Sequence, residues 1–108
     1  IFLGYAAAGA TLVIFQLGGG AYKDTLLCPS CSVITPQMWT TANPITFHRV
    51  RESLDFYSGT IIEGKESIEE AGERLYAHIL DIASGTMTRV ETINHSYPLQ
   101  MYFQDIPF

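Results

Sequence analysis

The chain has 108 residues, enough for one small domain and too few for two. Hydrophobic residues make up 47% and charged residues 16%, a composition that excludes an intrinsically disordered tail. Six Lys and Arg against eleven Asp and Glu give a net charge of -5 without any basic cluster, so no nucleic-acid partner is expected.

The first element expected is a helix from Ile1, apolar and rich in Ala and stopped by Gly9. Thr11 to Leu17 follows as a β-branched and aromatic run with little alternation, which predicts a strand buried on both faces, as in a parallel sheet. The apolar stretch from Ala6 to Leu17 is much shorter than the ~20 residues of a membrane span, so no membrane is expected. The chain opens on Ile1, without Met and without a basic leader, and reads as a piece of something longer. The strand empties into Gly18-Gly19-Gly20, the usual exit at the carboxyl edge of an α/β sheet, and this edge is the first candidate binding site.

Ala21 to Thr41 has no clean period and predicts a long loop holding one or two short strands. Asn43-Pro44 then supplies an N-cap with proline at the first helical position, and Phe47, Val50 and Leu54 recur at helical spacing. Thr60-Ile61-Ile62 between two glycines predicts a brief strand or turn. Ser67 and Glu70 form a capping box, after which Ile68, Ala71, Leu75, Ile79 and Ile82 predict a helix to Ser84, ahead of Gly85. Pro98 to Phe103 alternates and predicts a half-buried edge strand.

Cys28 and Cys31 close almost no loop, so as a disulfide they would stabilise little, and they lean toward an intracellular setting. They offer two thiolates to a zinc or iron site, but a tetrahedral site needs two further ligands that no second CxxC or spaced histidine supplies. His78 falls on the apolar stripe of the long helix and reads as a core or interface residue, whereas His48 near a helix start is a candidate acid or base. Glu66, Glu69, Glu70 and Glu73 read as a solvated face near the positive helix end. Met38 and Trp39 read as core or interdomain filling.

Taken in order, Ala7-Ala8-Gly9-Ala10, Gly18 to Gly20, Asn43-Pro44, Asp55 to Gly59, Ile61 to Gly64 and Ala83-Ser84-Gly85 resemble the C-terminal domain of the altronate and galactarate dehydratases. The resemblance implies a metal-dependent lyase that removes water from sugar acids. Its chemistry is abstraction of the proton alpha to a carboxylate, with a divalent iron, manganese or magnesium ion steadying the enediolate. It also implies that the chain is a minor part of the enzyme. The expected partners are therefore the remaining catalytic portion, fused or separate, a small-molecule sugar acid and further copies in a homo-oligomer, in the cytoplasm.

Departures from the family pattern accompany the matches. Where the family carries Thr-Thr-Gly-Arg-Gly-Thr, this chain has Gln16 to Ala21, so the hydroxyls and a guanidinium able to grip a carboxylate are missing. Trp39 stands at a position where lysine is common and Tyr57 where asparagine is frequent, and an insertion brings in Cys28 and Cys31. These differences point either to another substrate or to a module that has lost catalysis.

The expectation is a small α/β domain with a mostly parallel sheet. It would be inactive alone and would contribute backbone donors from Gly18, Gly19 and Gly20 and polar groups from Thr40, Thr41 and Asn43 to a substrate site. Two alternatives remain: a non-catalytic binding or assembly module, and a small metal or redox protein using Cys28 and Cys31.

Overall fold

A computed structural model describes residues 2–18, 31, 32, 34–93 and 104. Helix α1 (Phe2–Ala7) leads to strand β1 (Val13–Leu17). Strand β2 (Gln37–Thr41) is followed by helix α2 (Pro44–Val50), a 3-10 turn (Arg51–Ser53) and the two-residue strand β3 (Phe56–Tyr57). Helices α3 (Gly59–Ile62), α4 (Ile68–Ala83) and α5 (Arg89–Ile93) complete the described elements. The three strands form one sheet in the order β1-β2-β3, with both pairs parallel, so the domain is a small α/β fold.

The register sorts the side chains onto two faces. Val13 pairs with Gln37, Phe15 with Trp39, and Leu17 with Thr41, which places these odd-numbered residues on one side. There Leu17, Cys31, Trp39, Leu54 and Val90 form a buried cluster, and Phe2, Phe15, Phe47 and Val50 pack against it. Trp39 lies 4.7 Å from the Phe15 ring and 6.1 Å from the Phe2 ring, centroid to centroid. Removing so large a buried aromatic costs about 3–5 kcal/mol, so the core reading of Trp39 holds. On the other face Met38, Phe56 and Ile82 pack with Leu12, Leu75 and Ile79, which lays α4 across β2 and β3.

Local chemistry accounts for the element ends. Asn43 Oδ1 accepts from the backbone N–H groups of Ile45 and Thr46, and Pro44 opens α2. Ser67 Oγ accepts from Glu70 N at 3.1 Å while Glu70 Oε2 accepts from Ser67 N at 2.8 Å, the reciprocal capping box expected for α4. Gly9 (φ 95°) and Gly85 (φ 109°) take the left-handed backbone that stops a helix.

Two expectations need correction. β1 is not buried on both faces: Leu17 is its only buried residue and Ile14 is 45% exposed, because β1 stands at an edge of the described sheet. The strand buried throughout is β2, one of the short strands expected within Ala21 to Thr41. Thr60 to Ile62 belongs to the helical turn α3, with Lys65 N bonded to Thr60 O, and the short strand lies just before it. The strand expected at Pro98 to Phe103 lies outside the described residues.

Candidate functional site

All three strands run the same way, so their carboxyl ends share one edge, formed by Leu17-Gly18, Thr41 to Asn43 and Tyr57 to Gly59. Buried hydroxyls tie this edge together. Thr41 Oγ1 donates to Leu17 O at 2.8 Å and accepts from Asn43 N at 3.1 Å. Thr46 Oγ1 donates to Gly18 O at 3.3 Å, and Ser58 N donates to Thr41 O at 3.0 Å. Thr40 points to the opposite face, where its hydroxyl reaches Gln16 Oε1.

Of the residues expected at a substrate site, the structure therefore brings Gly18, Thr41 and Asn43 to one edge. Thr40 and Thr41 are buried, and the Asn43 side chain caps α2. Gly18 is exposed, its φ lies outside the left-handed region, and a Cβ there would meet no atom of the described residues within 4 Å. Packing among the described residues does not require that glycine. Gly19, Gly20 and Cys28 lie outside the described residues, while Cys31 is buried in the core.

Beyond β3 lies an open pocket of about 550 Å³, lined by Tyr57, Thr60, Lys65, Glu66, Glu70 and Arg74. Its center is a tightly matched ion pair. Arg74 Nε and Nη2 donate to the two Glu66 carboxylate oxygens at 2.9 and 2.8 Å, and Thr60 Oγ1 donates to Glu66 Oε2 at 2.7 Å. The guanidinium also donates to Tyr57 O at 2.9 Å and lies 4.2 Å from the Phe56 ring centroid. These bonds hold the Glu66 carboxyl at about 2, well below its ordinary value, first through Arg74 and then through Thr60. Glu66 is thus no solvated helix residue, although Glu69, Glu70 and Glu73 are exposed as expected. The network locks α4 to the outer edge of β3.

Tyr57 separates this pocket from a second cleft. Its ring stacks on Phe47 at 4.2 Å and 18°, and its hydroxyl donates to Glu63 Oε1 at 2.6 Å. That bond raises the phenol above its ordinary value, while Lys65 and Tyr57 together lower the Glu63 carboxyl. Asp55 ties the sheet to α5. Its Oδ2 accepts from Trp39 N and its Oδ1 from Arg89 N, each at 2.8 Å. Burial raises the Asp55 carboxyl, and the two backbone N–H groups oppose the shift. His48 is exposed on α2, and His78 is half-buried on α4.

Neither Asp55 nor the Glu66–Arg74 pair stands out in the sequence as a site. The Asp55 to Gly59 spacing was the available signal for the first. The second joins residues eight apart across a turn and has no sequence signature.

Among the described residues, no group of three or more His, Cys, Asp or Glu could hold a metal ion, so they do not fit the divalent metal that the resemblance implies. No described helix is long and apolar enough to cross a membrane.

A parallel sheet whose described strands end at one carboxyl edge, tied together there by buried hydroxyls, defines a small α/β domain. The chain belongs to the D-galactarate/altronate dehydratase C-terminal family, whose model matches residues 2–104. It is 35% identical over 79 residues to galactarate dehydratase (L-threo-forming) of Escherichia coli (strain K12). That match covers 73% of this chain and 14% of the relative.

Proposed function

We propose that this domain forms one wall of the active site of a sugar-acid hydro-lyase, completed by a larger catalytic portion that is fused or separate. The carrying observation is Gly18, exposed at the exit of β1 with no described residue within 4 Å of the place where a side chain would stand. Bare backbone at the carboxyl edge of a parallel sheet lets main-chain N–H groups approach an anion closely. In this reading Gly18, Gly19 and Gly20 present donors to the carboxylate or the developing enediolate of the substrate. Thr41 and Asn43 fix the neighboring strand end and helix start, and Thr40 holds β2 against β1 through Gln16. The divalent metal of the complete enzyme takes its ligands from the remaining portion, and the substrate is an aldarate-type acid.

Gly18→Leu in the complete enzyme tests this reading. The described residues leave room for the side chain, so thermal stability should stay near wild type while turnover of galactarate falls at least tenfold. Unchanged turnover would remove the loop from the site.

The second reading is a non-catalytic assembly module derived from the same family. Trp39 favors it, because at a position where the family commonly has lysine this chain buries an indole in its core. Strong self-association, with no sugar acid raising the melting temperature, would support that reading.

A further inference from the structure

The cleft on the α2 side of β3 has no part in the function proposed above. It has a volume of about 460 Å³, within the range of small-molecule sites, and runs between the 3-10 turn and the start of α5. The stacked rings of Phe47 and Tyr57 form an apolar part of its lining, to which Arg51 and Arg89 also contribute. Neither guanidinium makes a hydrogen bond or ion pair with a described residue. In a chain with only six Lys and Arg and a net charge of -5, two such cations beside one cleft stand out from the surrounding acidity. Asp55 lines the same cleft and attracts Arg89 by its charge, but its oxygens accept the main-chain N–H groups of Trp39 and Arg89, and among the described residues no hydrogen bond joins it to either guanidinium. Glu52 adds an exposed carboxylate, which suits a ligand that also carries hydroxyl donors.

We propose that this cleft is a second acid-binding site, in which Arg51 and Arg89 grip the carboxylate of a small polyhydroxy acid, Glu52 accepts from its hydroxyls and the Phe47–Tyr57 wall covers its carbon chain. Planar guanidinium forks match a carboxylate in two parallel hydrogen bonds, a geometry that a single lysine does not offer. The wall is set before any ligand arrives, because the Tyr57 ring is fixed by Phe47 on one side and by its bond to Glu63 at the tip.

The test is calorimetric titration of the complete natural polypeptide with tartrate and, separately, with inorganic phosphate. Tartrate should bind, and Arg51→Ala/Arg89→Ala should weaken that binding at least tenfold or remove one site from the stoichiometry. Arg49→Ala, outside the cleft, should leave it unchanged. Glu52→Gln should weaken binding of tartrate but not of propionate, which lacks the hydroxyls. Tartrate affinity within twofold of wild type in a folded double variant would overturn the proposal. So would phosphate binding as tight as tartrate, which would make the pair a general oxyanion trap. Loss of tartrate binding in Gly18→Leu with none in the double variant would overturn it too, by assigning the acid to the carboxyl edge. Dehydratase turnover is read independently: its absence would refute the function proposed above and leave the Arg51 and Arg89 result standing.

Discussion

The phenol ring of Tyr57 occupies the space that a side chain at Gly59 would need. A Cβ built on Gly59 overlaps the Tyr57 hydroxyl and the end of its ring. The ring cannot retreat freely, because Phe47 stacks on it and Glu63 holds its hydroxyl.

Gly59→Ala should therefore destabilize the domain by about 1–3 kcal/mol, the usual cost of overpacking a well-filled site. The physical cause is checked by a double-mutant cycle in urea. Once Tyr57→Ser has removed the ring, the same glycine change should cost at least 1 kcal/mol less, roughly the coupling expected of residues in contact. An equal cost in both backgrounds would show that the ring is not the reason.

The Glu66–Arg74 pair gives a pH dependence with a definite sign. The Glu66 carboxyl sits at about 2 in the folded chain, below its ordinary value of 4.5, so the folded state favors the ionized form. Its contribution to stability is fully present above 4.5 and is lost as pH falls from there toward about 2. Glu66→Gln should lower stability at pH 7 and flatten the acid limb of the curve. Parallel urea midpoints for wild type and variant from pH 7 to 2.5 would show that the pair contributes nothing through ionization.

Much of the fold is legible in the sequence because its signals are local. Asn43-Pro44, the Ser67–Glu70 box and the Ala71-Leu75-Ile79-Ile82 stripe each predict a feature that α2 or α4 shows, since capping and helical periodicity depend on residues within a turn or two. The sheet is less legible. Gln37 to Thr41 carries two threonines and a glutamine, so hydropathy does not mark it as the most buried strand. Its burial comes from β1 and β3 on either side and helices on both faces, which are long-range facts. Phe56–Tyr57 is too short to leave a period, and α5 has one buried residue, Val90, and no stripe. At the site, Gly18 could be read from the glycine run. The tasks of Thr41 and Thr46 could not, because they reach back 24 and 28 residues to the end of β1.

Gln37 is an exception within the core. The residue is 2% exposed, and neither amide atom has a hydrogen-bond partner among the described residues. An unsatisfied buried amide costs about 1–3 kcal/mol, so Gln37→Met, which keeps the length and drops the polar atoms, should raise the urea midpoint. A drop of similar size would mean that the amide has a partner in the complete enzyme.

Asp55 predicts a local effect. Asp55→Ala removes the acceptor for Arg89 N and should speed amide exchange across α5 while the α4 amides exchange as in wild type. Uniform acceleration throughout the domain would show that Asp55 supports the whole fold and not the docking of α5.

Turnover tests most directly whether this domain works within a sugar-acid hydro-lyase. The natural polypeptide carrying this sequence, together with any subunit that co-purifies and an added divalent metal, should dehydrate galactarate or a closely related aldarate, while residues 1–108 alone should not. No dehydration of any sugar acid, and no rise in melting temperature when those acids are added, would contradict the account.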